Sequence, residues 1–129
     1  MNKTYNWLQK FLICSFLISS TTPAIAQITP DNTLGAESSR LTPNVTIGGA
    51  SADKIDGGAT RGSNLFHSFS DFNVDNGQRV YFVNPNGIQN ILTRVTGGNA
   101  SSILGTLGVD GGANLFLLNP NGKIGTEHV

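Results

Sequence analysis

The sequence predicts an all-β fold, organised as a parallel β-helix and preceded by a signal-peptide helix. Three observations point there. From Gln27 onward, Gly and Asn make up 28 of 103 residues, and all 16 Gly lie in that stretch. Gly costs a helix about 1 kcal/mol relative to Ala and Asn is a poor helix former, whereas both suit turns. Apolar residues come in short runs bounded by Gly, Asn, Asp and Pro, with no helical stripe after residue 27. Finally, the chain repeats itself. Asn84-Pro85-Asn86-Gly87 returns further on as Asn119-Pro120-Asn121-Gly122, and Asp56-Gly-Gly-Ala59 returns as Asp110-Gly-Gly-Ala113. A strand-plus-turn unit cannot bury its own apolar face and must stack on a copy of itself, which is the logic of a solenoid. At roughly 20–25 residues per coil, the chain from Gln27 onward gives about four or five coils.

The stretch before Gln27 is chemically separate from the rest. It holds Lys3 and Lys10 but no acid, then the apolar run Phe11–Ile18, then Ser, Thr and Pro leading to Ala24-Ile25-Ala26. This is the charged, apolar and small-residue succession of a secretory signal peptide, with the cut expected between Ala26 and Gln27. Cys14 sits in the apolar run as filling, because Phe11 and Ile13 do not suit a lipoprotein site. The division is therefore a signal peptide over 1–26 and an exported domain over 27–129. The Sec machinery and signal peptidase are the partners that such an address implies.

In the exported part the expected strands are Val45–Ile47, Leu65–Phe69, Phe72–Val74, Arg79–Val83, Ile91–Val95, Ile103–Val109 and Asn114–Leu118. Turn residues separate them: Gly48-Gly49, Asp56-Gly57-Gly58, Asp75-Asn76-Gly77, Gly97-Gly98-Asn99, Asp110-Gly111-Gly112 and both Asn-Pro-Asn-Gly elements. In those elements Pro is expected at the second position of a turn. The first Asn is pushed to extended backbone and closes the corner with its side chain. Gly105, Gly108 and Gly111 read as strand-end and turn glycines.

Composition excludes several functions. The zero net charge of the whole chain divides into +2 before Gln27 and −2 after it, so the domain offers nucleic acid no basic patch. No Cys follows Ala26, which removes a disulfide framework and thiolate metal sites. No apolar stretch is long enough for a transmembrane helix. Asp71, Asn73 and Asp75 resemble the start of a calcium loop, but Asn76 stands where Gly is needed and Phe82 where Glu is needed. His67, Ser68, Ser70 and Asp71 are triad residue types, yet neighbours on a strand point to opposite faces. The acid pairs Asp53 with Asp56 and Asp71 with Asp75 sit beside Gly-rich turns, where Asp serves geometry. Neither a cofactor, nor a metal, nor a small-molecule substrate, nor catalysis is expected.

Three segments carry a resemblance. Asn64-Leu-Phe-His-Ser-Phe-Ser-Asp-Phe-Asn-Val74 resembles an early F-x-x-F-x-V element, and Asn84-Pro-Asn-Gly-Ile88 a first Asn-Pro-Asn element. Gly105–Gly122 resembles a G-T-L…A-x-L-x-L-x-N-P-N-G-I block. Together they are similar to the secretion domain at the N-terminus of filamentous-haemagglutinin-like two-partner exoproteins, of the cyanobacterial type. The resemblance implies a right-handed parallel β-helix that directs secretion without catalysis, recognised by the periplasmic domains of an outer-membrane β-barrel transporter. It implies a secreted or cell-surface protein, often an adhesin. It marks Asn84, Pro85, Asn86, Gly87, Asn119, Pro120, Asn121 and Gly122 as the secretion motif, and Phe69 and Phe72 as packing residues. The alternatives are a surface adhesin or structural β-helix and, less favoured, a polysaccharide-active β-helix enzyme. Lys123 stands where the family has an apolar residue, and the sequence stops at Val129 where the family continues. The expectation is thus an incomplete β-helix, an N-terminal fragment with marginal stability of its own.

Overall fold

A computed structural model describes residues 27–125, and these are all-β. The strands are β1 (Ile28–Pro30), β2 (Ser39–Ile47), β3 (Ala50–Gly57), β4 (Ala59–Arg61), β5 (Asn64–Phe72), β6 (Arg79–Val83), β7 (Asn90–Val95), β8 (Ser101–Ile103), β9 (Thr106–Asp110), β10 (Asn114–Leu118) and β11 (Lys123–Gly125). A single 3₁₀ turn, Gly35–Glu37, links β1 to β2. No helix among the described residues is long and apolar enough to cross a membrane. The expected signal-peptide helix and the Ala26–Gln27 cut fall before or at the edge of the described residues.

Most strands sit in parallel stacks. β3, β6 and β9 form one; β5, β7 and β10 form the second; β8 and β11 form the third, extended by a parallel bridge from Val74 to Ile103. The chain visits the stacks in turn, so each pairing measures one circuit. Asn64 pairs with Asn90 and Asn90 with Asn114, steps of 26 and 24 along the chain. In the first stack Asp53 pairs with Val80 and Val80 with Leu107, two equal steps that are each longer still. The circuit is therefore mostly longer than expected, and among the described residues there are three rungs, against the four or five coils expected from Gln27 onward.

The first rung starts differently from the rest. β1 and β4 both pair antiparallel with β5, and β2 folds back antiparallel on β3. Beside β5, which the expected Leu65–Phe69 and Phe72–Val74 overlap, sequence reading marks only Val45–Ile47 of β2. β1 and β4 are only three residues long, too short for an alternation pattern to register. β3, with Ser51, Asp53, Lys54 and Asp56 among its eight residues, reads as polar. Ile103–Val109, expected as one strand, divides into β8 and β9 at Leu104-Gly105, where the chain turns from one stack to the next.

Alternation along the strands builds one core. Ile55, Val80, Phe82 and Leu107 come from the first stack, Leu65, Phe69, Ile91 and Val95 from the second, and Val74 and Ile103 from the third. Each fully buried aromatic or Ile side chain contributes about 1.5–3 kcal/mol relative to exposure. Phe72 stacks near-parallel with Phe82 at 6.0 Å and meets Phe69 edge-on at 5.1 Å, so the aromatic residues of β5 and β6 join two stacks.

Candidate functional site

The two Asn-Pro-Asn-Gly elements occupy different corners of the circuit. The first leads from β6 to β7, and the second from β10 to β11. Their spacing therefore equals no circuit; it carries the motif from one corner to another. The Asp-Gly-Gly-Ala repeat does follow the circuit. Asp56 directly follows Ile55, the partner of Phe82, and Val83 pairs with Asp110. Both copies thus leave the same stack, two circuits apart.

The corners also fold differently. At the first, Ile88 N–H donates to Pro85 O at 3.2 Å, so Asn86 and Gly87 are the central pair of the turn. Gly87 has φ +84°, the position a type II turn requires. Pro85 opens this turn and does not take the expected second position. The Asn84 side chain ties the corner together, donating to Pro85 O at 3.1 Å and Ile88 O at 3.0 Å. Its Oδ1 accepts Ala113 N–H at 2.8 Å, a bond to the next rung. At the second corner Gly122 N–H donates to Asn119 O at 3.0 Å, which places Pro120 second as expected. Asn119 Oδ1 accepts Asn121 N–H at 2.8 Å in an Asx-turn. Here the side chains reach back a rung: Asn119 Nδ2 donates to Asn99 O and Ser101 Oγ, and Asn121 Nδ2 to Gly97 O at 2.8 Å. Each corner is thus stapled to a neighbouring rung, one forward and one backward.

Phe69 and Phe72 lie in the core, 0% and 1% exposed. His67, on the same strand, is equally buried, with its ring 5.2 Å from that of Phe82. Its Nδ1 meets Ser39 Oγ at 2.9 Å, and Ser39 Oγ also accepts Ser68 N–H at 3.1 Å. Burial pushes the His67 pKa down to about 4, while the Asp56 carboxylate pulls the other way. Gly58 leaves room for this ring, because a Cβ there would stand 2.7 Å from Phe66 O and 2.9 Å from His67 Cε1.

Sequence reading misses a clamp at Asp31. Its carboxylate accepts from Thr33, Ser68 and Thr96, the last at 2.6 Å, and Arg94 donates to the Ser68 and Thr33 hydroxyls. Burial alone would raise this carboxyl, but the Thr96, Thr33 and Ser68 donors outweigh it and hold the pKa at about 2. The clamp fixes the first described residues against β5 and β7. Its one sequence signal is Asp31-Asn32-Thr33, where Thr33 N–H closes on Asp31 Oδ1 at 3.0 Å.

The acids of the two pairs, Asp53 with Asp56 and Asp71 with Asp75, are engaged in structure. Asp53 accepts from Asn44 N–H and Gln78 Nε2, and Asp56 pairs with Arg40 at 3.0 Å and Lys54 at 3.6 Å. Asp71 accepts from Asn99, and Asp75 from Gln27. Among the described residues no three His, Cys, Asp or Glu side chains converge on a point that could hold a metal ion. Gly108, expected at a strand end or turn, lies within β9 under the Tyr81 ring.

What remains for recognition is shape and surface. On the outer face of the second stack, Phe66, Leu92 and Phe116 are in register across β5, β7 and β10, with Phe116 about half exposed. A groove of about 410 Å³ runs beside them, bordered by Leu34, Leu118, Arg61 and Arg94. A second, of about 1010 Å³, lies along β9 and β10 against Tyr81, Leu107, Val109 and Leu115. Comparison with curated proteins and with solved structures gave no match. Comparison with family models matched residues 26–125 to the TPS secretion domain, which spans both corners, the Phe69 and Phe72 core and the Asp31 clamp. The chain belongs to the two-partner secretion domain family of haemagglutinin-like proteins.

Proposed function

We propose that this domain directs export, and that its partner is an outer-membrane β-barrel transporter whose periplasmic domains recognise it. The observation that carries this reading is the family match over residues 26–125. Two features of the fold support it. Asp53, Asp56, Asp71 and Asp75 are held in hydrogen bonds or ion pairs, and His67 is packed in the core with its Nδ1 on Ser39, which favours recognition and guided passage without chemistry. The three parallel stacks around one core also suit a right-handed parallel β-helix begun by antiparallel strands at its first rung. Residues 1–26 serve as the signal peptide that brings the chain to the periplasm through the Sec machinery, with signal peptidase cutting after Ala26. The exported protein is then secreted or held at the cell surface, where an adhesive role belongs to the haemagglutinin-like class.

Within this reading the Asn84–Gly87 and Asn119–Gly122 corners form the secretion motif, through the turns they fix and the rungs they staple. The test is export of a reporter fused behind residue 129, in cells with and without the transporter. Export is expected only with the transporter, and replacement of Asn84 or Asn119 by Ala should lower it. Export that ignores the transporter would overturn the proposal. Unchanged export of both variants would restrict the corners to fold maintenance.

A further inference from the structure

Three Asn-Gly steps lie in turns of this domain: Asn76-Gly77, Asn86-Gly87 and Asn121-Gly122. We propose that Asn76 and Asn86 are sites of spontaneous deamidation with water as co-reactant, and that the fold protects Asn121.

The reaction begins at the backbone nitrogen of the glycine. That nitrogen gives its proton to a solvent base and attacks the Asn Cγ. A new N–Cγ bond forms, the Cγ–Nδ2 bond breaks, and the amide nitrogen leaves as ammonia. Water then adds to either carbonyl of the succinimide ring and opens it, yielding aspartate or isoaspartate. The net change is amide plus water to carboxylate plus ammonium, with no oxidant or reductant. The step needs an unencumbered side-chain amide, a following nitrogen outside any hydrogen bond, no side chain on the next residue and access for water.

Asn76 and Asn86 meet each requirement. Both are exposed, and neither amide has a hydrogen-bond partner among the described residues. Their turns share one design. The closing bonds run from Gln78 N–H to Asp75 O at 3.0 Å and from Ile88 N–H to Pro85 O at 3.2 Å. In each turn that bond passes over the glycine nitrogen and leaves it free. Asn121 is also exposed, but both reacting groups are held. Its Nδ2 donates to Gly97 O at 2.8 Å, its backbone N–H donates to Asn119 Oδ1 at 2.8 Å, and the Gly122 nitrogen donates to Asn119 O at 3.0 Å. One tetrapeptide thus gives a reactive step at one corner and a protected step at the other. On the reading of the corners given above, conversion at Asn86 places a negative charge, and in part an extra backbone methylene, inside one secretion turn.

The folded chain is held at mildly alkaline pH beside a urea-denatured sample, and both are mapped by peptide mass spectrometry over time. In urea all three steps should convert alike. In the folded chain Asn76 and Asn86 should keep pace with the denatured rate, as aspartate and isoaspartate together. Asn121 should be slowed about tenfold or more, the factor that two ordinary hydrogen bonds impose on opening. Equal rates at all three folded sites, or an inert Asn86, would overturn the assignment. Aspartate without isoaspartate would overturn the succinimide route. The readout is chemical, so failure of the export reading leaves it unaffected.

Discussion

His67 carries a pH dependence into the core. Its pKa in the folded protein is about 4 because burial penalises the charged ring, against the ordinary 6.5 of the unfolded chain. The neutral form is the one the fold accepts. Its contribution is therefore complete above pH 6.5 and is lost as pH falls from there through about 4. At about 1.36 kcal/mol per pKa unit the loss is about 3 kcal/mol. Urea unfolding at steps from pH 7 to pH 4 should show stability falling through this window, and His67→Gln should flatten the slope there. The niche that holds the ring gives a second prediction. Gly58 has φ +88° and no space for a Cβ, so Gly58→Ala should cost about 1–3 kcal/mol, read as a lowered urea midpoint. Little of this was legible in the sequence. His67 stood out within the Asn64–Val74 segment, but its burial depends on Ser39 and Gly58, brought in by antiparallel strands. Local spacing gives no sign of a partner as far along the chain as Ser39.

Between elements, register is held by side-chain ladders as well as by apolar alternation. Asn90 Nδ2 donates to Asn64 Oδ1, and Asn114 Nδ2 donates to Asn90 Oδ1, each at 3.1 Å, at the entrance to β5, β7 and β10. Asn90→Ala removes two bonds and Asn114→Ala one, so at about 1 kcal/mol per bond the first should destabilise about twice as much as the second. Paired urea melts of the two variants check this, and equal losses would mean that the ladder bonds do not act separately. The turn motifs show both the reach and the limit of sequence reading at this scale. The Asp-Gly-Gly-Ala repeat marks equivalent corners because two whole circuits separate its copies. The Asn-Pro-Asn-Gly repeat looks stronger, yet joins non-equivalent corners and folds into two different turns. Identity of a tetrapeptide reports turn chemistry, while the position of the turn on the circuit is set by the strands around it. β6 and β10 were legible to the residue because each is a short apolar or alternating run bounded by turn residues. β1 and β4 were not, since the antiparallel start of the stack rests on contacts from outside those segments.

For the whole molecule, the all-β class followed from where Gly and Asn fall, and the family from the three motif segments taken together. The longer circuit did not, because its length includes the connections over 97–100 and 104–105, whose conformations are set by bonds to other rungs. Thr96 and Gly97 donate backbone N–H to Phe69 O and Ser70 O, and Thr106 to Gln78 O. Such stapling makes the surface of the domain one continuous shape, with its apolar row and grooves in fixed positions. A partner reading that shape should bind the folded chain and lose it when the fold melts. The most direct measurement is calorimetric titration of the folded chain into the soluble periplasmic region of an outer-membrane transporter of the two-partner type. Saturable binding, abolished when the chain is denatured beforehand, is expected if the partner reads the folded shape. Absence of binding by the folded chain, or equal binding by the denatured one, would contradict it.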